Sequence, residues 1–284
     1  MFLEILKAIL IGIVQGITEW LPVSSTGHMI LFESFCSFAE KFMSDYFYKN
    51  LFLIVIQLGS ILAVVVLFFG KLNPFSPKKS PDQKKGTWVL WSKVLVSALP
   101  AAVVGLLLDD WLEAHVFVDS VVSYVIAATL LIYGVLFIVI ERAKNKSKNL
   151  PKVQDVADIS YKTAFFIGMF QVLSLIPGTS RSGSTIIGAM LLGVSRGAAA
   201  EFSFFLALPV MLGASGLKTV KYLANGAVAT TNELILLAVA FVVSFIVSLV
   251  AIRFLMEFVR RHSFEAFGWY RIILAIVVFL WVLL

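Results

Sequence analysis

Long unbroken apolar stretches separated by short polar connectors set the plan of this chain. Six of them, residues 51–69, 89–108, 116–140, 202–223, 234–252 and 269–284, each approach the roughly 20 residues that cross a bilayer as a helix. Lipid offers the backbone no hydrogen bonds, so continuous runs of this length predict helices rather than open strands. Two further stretches are apolar but interrupted. Residues 2–20 run into Pro22 and a Ser-Ser-Thr-Gly turn, after which 29–50 become polar in their second half; residues 161–194 are broken by Pro177, Gly178, Gly183, Gly188 and Gly193. Each predicts two short helices meeting at a turn, a re-entrant hairpin.

A hairpin followed by three spans, twice over, predicts an all-α polytopic membrane protein: about six transmembrane helices plus two re-entrant helical hairpins in an inverted-topology repeat. The chain then forms one integral membrane domain over 1–284, with repeat one at about 1–140 and repeat two at about 160–284. Gln15 aligns with Gln171, and Pro22 falls near Pro177. Both turn tips converge near the midplane in that arrangement, where broken helices present free N–H groups to an anion.

Charge orients the plan. Residues 71–85 carry five lysines, 142–152 one arginine and four lysines, and 253–262 three arginines. The positive-inside rule puts all three connectors in the cytoplasm, and the acidic connector 109–115 outside. Parity then makes 161–194 cross an even number of times or not at all, entering from the cytoplasm, while the first hairpin enters from outside. The net charge of +6 is therefore topology and calls for no nucleic acid. A composition of 60% hydrophobic and 14% charged residues, with mean hydropathy +0.96, excludes an ordinary soluble domain. Cys36 is the only cysteine, which rules out an intrachain disulfide and a cysteine-based metal site. Lys7 and the apolar run after it resemble a secretory signal, but no small-residue cleavage pattern follows, so the segment is expected in the mature protein.

The candidate chemistry lies in the two broken stretches. Ionisable side chains are costly in lipid and mark functional sites there. Gln15 and Glu19, four apart, share a helix face, either as a metal-binding or proton-handling pair or as a hydrogen-bonded pair between helices. Ser24, Ser25, Thr26 and Gly27 form a turn whose hydroxyls cap the next helix, a task that needs only one of them. Ser25 and His28, three apart, bring a hydroxyl within reach of an imidazole. In the second stretch Arg181, between Ser180 and Ser182 and after Pro177-Gly178, has the donors to hold a phosphate bidentately. A basic residue at a membrane edge explains the charge but not the hydroxyls and glycines around it. Both stretches are read as one site.

Other features call for less. Arg196 and Glu201 read as a structural ion pair, and Glu4 and Lys7 as edge residues. Trp88, Trp91, Trp111, Trp269 and Trp281 suit interfacial belts. Gly59-Ser60 and Gly213 to Gly216 suit close helix packing.

At these residues the chain resembles the BacA-type undecaprenyl-diphosphate phosphatase family. Gln15 to Glu19 followed by Leu-Pro-Val-Ser-Ser-Thr-Gly-His, and Pro-Gly-Thr-Ser-Arg-Ser-Gly-Ser-Thr at 177–185, match its two motifs; 193–204 and 55–64 are also family-like. The resemblance implies removal of the terminal phosphate from undecaprenyl diphosphate in the bacterial cytoplasmic (inner) membrane. That reaction recycles the lipid carrier for peptidoglycan and is associated with bacitracin resistance. It implies an outward-facing site and a divalent cation (Mg2+ or Ca2+); a homodimer is compatible with the sequence, which does not fix the oligomeric state. Carried over, the catalytic residues are Glu19, Ser25 as nucleophile, His28 as base or rival nucleophile, and Arg181. Phosphate binding falls to Ser24, Thr26, Gly178, Ser180, Arg181, Ser182 and Thr185, and metal binding to Glu19 and Gln15. Gln15 stands where many members have glutamate. An amide ligates a cation but delivers no proton, so a role needing two carboxylates is excluded. The rival reading is a lipid-phosphate flippase of the same architecture.

Overall fold

The computed structural model describes residues 1–146 and 150–283. Residue 148 of the second basic connector, the terminal residue 284 of the last expected span, and the side chains of Asp109, Asp110 and Glu113 lie outside the described residues. The main helices are α1 (Phe2–Thr18), α2 (Ser25–Phe35), α3 (Asp45–Leu67), α4 (Pro81–His115), α5 (Asp119–Lys146), α6 (Tyr161–Val172), α7 (Arg181–Leu191), α8 (Arg196–Ala224), α9 (Thr231–Arg261) and α10 (Glu265–Leu283). Six of these, α3, α4, α5, α8, α9 and α10, are long and apolar enough to cross a membrane. The chain is a multi-pass membrane protein.

Five of the six spans begin earlier than hydropathy predicts; α5 alone, at Asp119, begins after its expected start at residue 116. Ser80 caps α4 through a reciprocal capping box with Gln83, and Thr230 does the same for α9 with Glu233. Ser195 caps α8, and α3 opens at Asp45 with a π-helical turn over Tyr48–Phe52. These first turns are polar, so a hydropathy window passes over them.

The packing partners exchange in pairs. Helix α1 lies on α9 as α6 lies on α4; α3 lies on α9 as α8 lies on α4; α2 touches α10 as α7 touches α5. Helices α5 and α10 cross each other at Gly134 and Gly268, where a Cβ on either glycine would sit 2.8 Å from the other's carbonyl oxygen. Only hydrogen-sized side chains allow that approach. Gly168 likewise lets α6 press onto the Ser97 carbonyl of α4, and Gly59 lets α3 press onto the Phe241 carbonyl of α9. Gly213 and Gly216 face open space, so the packing role expected for them falls away; Ser215 alone reaches across, to the Ile54 carbonyl at 3.3 Å.

Long-range contacts gather the three basic connectors at one end of the bundle. Lys71 pairs with Glu201, Lys93 donates to the Ala157 carbonyl, and Arg142 pairs with Glu265. At the opposite end Glu233 accepts from the Ser44 hydroxyl at 2.6 Å, and Asn225 donates to the Tyr46 hydroxyl. Arg196 and Glu201 do not pair with each other: Arg196 meets the fully buried Glu141, and Glu201 meets Lys71. Glu4 is buried rather than at an edge, accepting from Lys7 at 3.1 Å and from the Ala39 N–H at 3.2 Å.

Candidate functional site

Helices α1 and α2 form one helix–turn–helix hairpin, α6 and α7 another, and the two turns meet. Each second helix opens on a serine in a left-handed conformation, Ser24 at φ 74° and Ser180 at φ 69°. Residues with a Cβ rarely adopt this geometry, and it is held only where surroundings compensate. Here the compensation is local. The Ser24 hydroxyl accepts from the Gly27 N–H at 3.3 Å, and the Ser180 hydroxyl from the Gly183 N–H at 3.1 Å. The N–H groups at the first residues of α2 and α7 have no intrahelical acceptor and favour negative charge.

Glu19 joins the turns. Gln15 Nε2 donates to its Oε2 at 3.1 Å, and Arg181 donates from the second turn to its Oε1 at 3.2 Å. Arg181 also donates to the Ser203 carbonyl at 2.9 Å and lies over the Trp20 ring, 5.6 Å from its centre. Its Nε–H is buried with no partner among the described residues. A guanidinium with a donor in reserve suits an anion arriving at the turn.

The Ser25 hydroxyl makes no hydrogen bond among the described residues. His28 is not its partner. The imidazole Nδ1 lies 2.7 Å from the Ser24 carbonyl, and Nε2 lies 2.6 Å from the Tyr270 hydroxyl. A carbonyl only accepts, so Nδ1 carries the proton, and in the neutral ring Nε2 accepts from Tyr270. The Ser25–His28 pair expected from spacing is therefore replaced by a Ser24–His28–Tyr270 chain.

Of the expected phosphate-binding residues, Ser24, Thr26, Ser180 and Arg181 lie at the meeting turns, with Thr26 exposed. Three are spent on packing. Thr185 is fully buried, its hydroxyl 2.7 Å from that of Ser203 and donating to carbonyls of its own helix. Ser182 is buried, with Oγ 3.4 Å from the Glu19 carbonyl. Gly178, at φ 84°, fits against Ile126 and Thr129 of α5 where no side chain would. These three brace the turn through contacts within the protein.

Arg271, read simply as part of a span, is central. Fully buried on α10, it donates to the Pro22 carbonyl at 3.2 Å, the Gly178 carbonyl at 2.8 Å and the Thr179 carbonyl at 3.0 Å. One guanidinium thus fastens both turns, and it lies over the Tyr133 ring. An arginine inside an apolar run is costly and so signals a role, which is how sequence alone would have found it. Arg271→Met leaves three buried carbonyls without that donor, each worth about 1–3 kcal/mol. A clear drop in melting temperature is expected, with Arg271→Lys recovering only part because a point charge lacks the fork. An unchanged melting temperature in Arg271→Met would remove the clamp.

These features define a class: a multi-pass helical membrane protein whose paired serine-capped turns bring hydroxyls, one carboxylate and a guanidinium together. The family described as "Bacitracin resistance protein BacA" matches residues 8–277, and the chain belongs to that family. It is 52% identical over 285 residues to an undecaprenyl-diphosphatase of Enterococcus faecalis (strain ATCC 700802 / V583), covering 99% of each chain. A second E. faecalis protein of that name is 55% identical, covering 98% of this chain and 97% of its own. The Lactiplantibacillus plantarum undecaprenyl-diphosphatase is 52% identical over 97% of both.

Proposed function

We propose that the chain is an undecaprenyl-diphosphate phosphatase, hydrolysing the diphosphate to undecaprenyl phosphate and phosphate, and so recycling the lipid carrier and supporting bacitracin resistance. The observation that carries the reading is the Arg181–Glu19 pair, which joins the cation of the second turn to the carboxylate of the first, the turn that also carries Ser25 with its hydroxyl unbonded among the described residues. The names of the relatives, at about half identity over nearly the whole chain, point the same way.

In this reading Arg181 and the open N–H groups of α2 and α7 neutralise the transferring phosphoryl. Ser25 Oγ forms the bond to the terminal phosphorus as the bond from phosphorus to the bridging oxygen breaks, releasing undecaprenyl phosphate. Water then cleaves the seryl phosphate, restoring the hydroxyl. His28 Nε2 takes the serine proton once its bond to Tyr270 is exchanged.

Among the described residues no three His, Cys, Asp or Glu side chains gather as a metal cage. One carboxylate and one amide suit a weakly ligated Mg2+ ion, which Glu19 and the Gln15 amide oxygen would hold. Bound there, such an ion supplies Lewis-acid charge to the phosphoryl oxygens. The basic end of the bundle is cytoplasmic under the positive-inside rule. The protein then sits in the bacterial cytoplasmic membrane with two re-entrant hairpins, and the paired exchange of packing partners supports an inverted repeat.

Purified protein is expected to release phosphate from a long-chain polyprenyl diphosphate with Mg2+ or Ca2+, and to lose that activity on chelation. Lipid binding or movement without phosphate release under any divalent cation would sink the hydrolase and favour a flippase. A second test addresses Tyr270. Its hydroxyl stabilises the neutral imidazole, so Tyr270→Phe is expected to move the acid limb of the kcat/KM profile to higher pH, with a loss of about tenfold near neutrality. An unmoved acid limb would remove His28 from proton transfer.

A further inference from the structure

Well apart from the two turns, at the end of the bundle that gathers the basic connectors, a cavity of about 570 Å3 opens between the end of α5, the segment before α6, the end of α7 and the start of α8. Its walls are of two kinds. Lys144, Lys152 and Arg196 supply positive charge, while Leu150, Met190 and Leu191 supply apolar surface. Leu150 and Leu191 are exposed, at 81% and 54%, beside these cations.

The cavity is built from fixed backbone. The Lys152 and Val153 N–H groups both donate to the Gly193 carbonyl, at 2.9 and 3.3 Å, and the Ser195 N–H donates to the Val153 carbonyl at 2.8 Å. Val153 and Val194 form a parallel bridge. Gly193, at φ 87°, leaves room for the Lys152 stem to lie across it, 3.7 Å from where a Cβ would stand.

Positive charge is in excess around the cavity. Glu141 is fully buried and already engaged by Arg196 and by the Phe264 N–H at 2.9 Å. Lys144 has only a 3.5 Å contact to the Val194 carbonyl, and neither it nor Lys152 meets a carboxylate within ion-pair distance among the described residues. Two ammonium groups without an ion-pair partner among the described residues therefore stand at the rim of a half-apolar cavity. Free phosphate would satisfy the cations but leave Leu150 and Leu191 uncovered. A phosphate that continues into hydrocarbon satisfies both.

We propose that this cavity binds the headgroup of an anionic membrane phospholipid, with Lys144 and Lys152 on its phosphate and the start of its acyl chains against Leu150 and Leu191. Basic pockets between helices at one membrane face bind anionic lipids by this combination, and each lysine near such a surface contributes about 1 kcal/mol.

The test uses the purified full chain in neutral detergent, titrated with phosphatidylglycerol or phosphatidylcholine of matched chains and read by native mass spectrometry. Wild type is expected to prefer phosphatidylglycerol by about tenfold. Lys144→Gln/Lys152→Gln brings the two lipids level, and so does Lys152→Glu alone, an exposed change with little consequence for folding. Lys78→Gln/Lys85→Gln, an equal charge loss in the first basic connector, keeps the preference. Wild type that does not distinguish the lipids overturns the site, as does a control double variant that loses as much as the cavity variant. Inorganic phosphate alone is expected to leave the lipid bound; its displacement of phosphatidylglycerol would make this a simple anion site and overturn the lipid assignment.

Discussion

Arg181→Ala is expected to lower kcat/KM for phosphate release by about 10^3-fold or more, the scale seen when a cation stops stabilising charge on a transferring phosphoryl group. The change removes the only cationic side chain that meets Glu19 at the turns among the described residues, and the donor it holds in reserve. It also strands Glu19 as a buried carboxylate supported by Gln15 alone. Breaking a buried pair from one side costs about 3–5 kcal/mol, so lost activity could reflect lost fold. The double variant Glu19→Gln/Arg181→Ala separates the two, because it leaves no orphaned charge. It should recover most of the melting temperature and none of the turnover. Near-wild-type turnover in Arg181→Ala would end the assignment of the second turn to phosphate binding.

Ser25→Ala is expected to abolish turnover to a similar extent, about 10^3-fold, as loss of a nucleophile does. The fold should not suffer, because the cap on α2 is made by the Ser24 hydroxyl and that of Ser25 makes no hydrogen bond among the described residues. The chemistry of the trapped intermediate adds a second readout. A seryl phosphate survives acid quenching and a phosphohistidine does not. Label from the terminal phosphate should stay on wild type after acid and be absent from Ser25→Ala. Acid-labile label that persists in Ser25→Ala would transfer the nucleophile's role to His28.

The spans were legible because about 20 consecutive apolar residues have few alternatives in lipid. Their starts were not, since Ser80, Ser195 and Thr230 cap turns that are polar. Within the site, Glu19, Ser25 and Arg181 stood out as polar groups in apolar surroundings. Ser182 and Thr185 read as equals of Ser180 because a motif does not record helical phase; on α7 they face Glu19 and Ser203 in the interior. Arg196 with Glu141, 55 residues apart, and His28 with Tyr270, 242 apart, leave no trace in local spacing. Arg271 was hidden differently. The run around it is apolar enough that one arginine did not disqualify it as a span.

The distance along the chain between Glu19 and Arg181 bears on how the protein is made. They are 162 residues apart, and α1 packs on α9, which follows still later. During synthesis the first hairpin therefore waits, its carboxylate held by Gln15 alone, while the first three of the six spans leave the ribosome and enter the bilayer. Its lasting seat becomes available only when the last helices arrive. Assembly of the two turns is consequently a late event in biogenesis, and a chain stopped before Arg181 would hold an unsealed acidic hairpin, a natural target for membrane quality control.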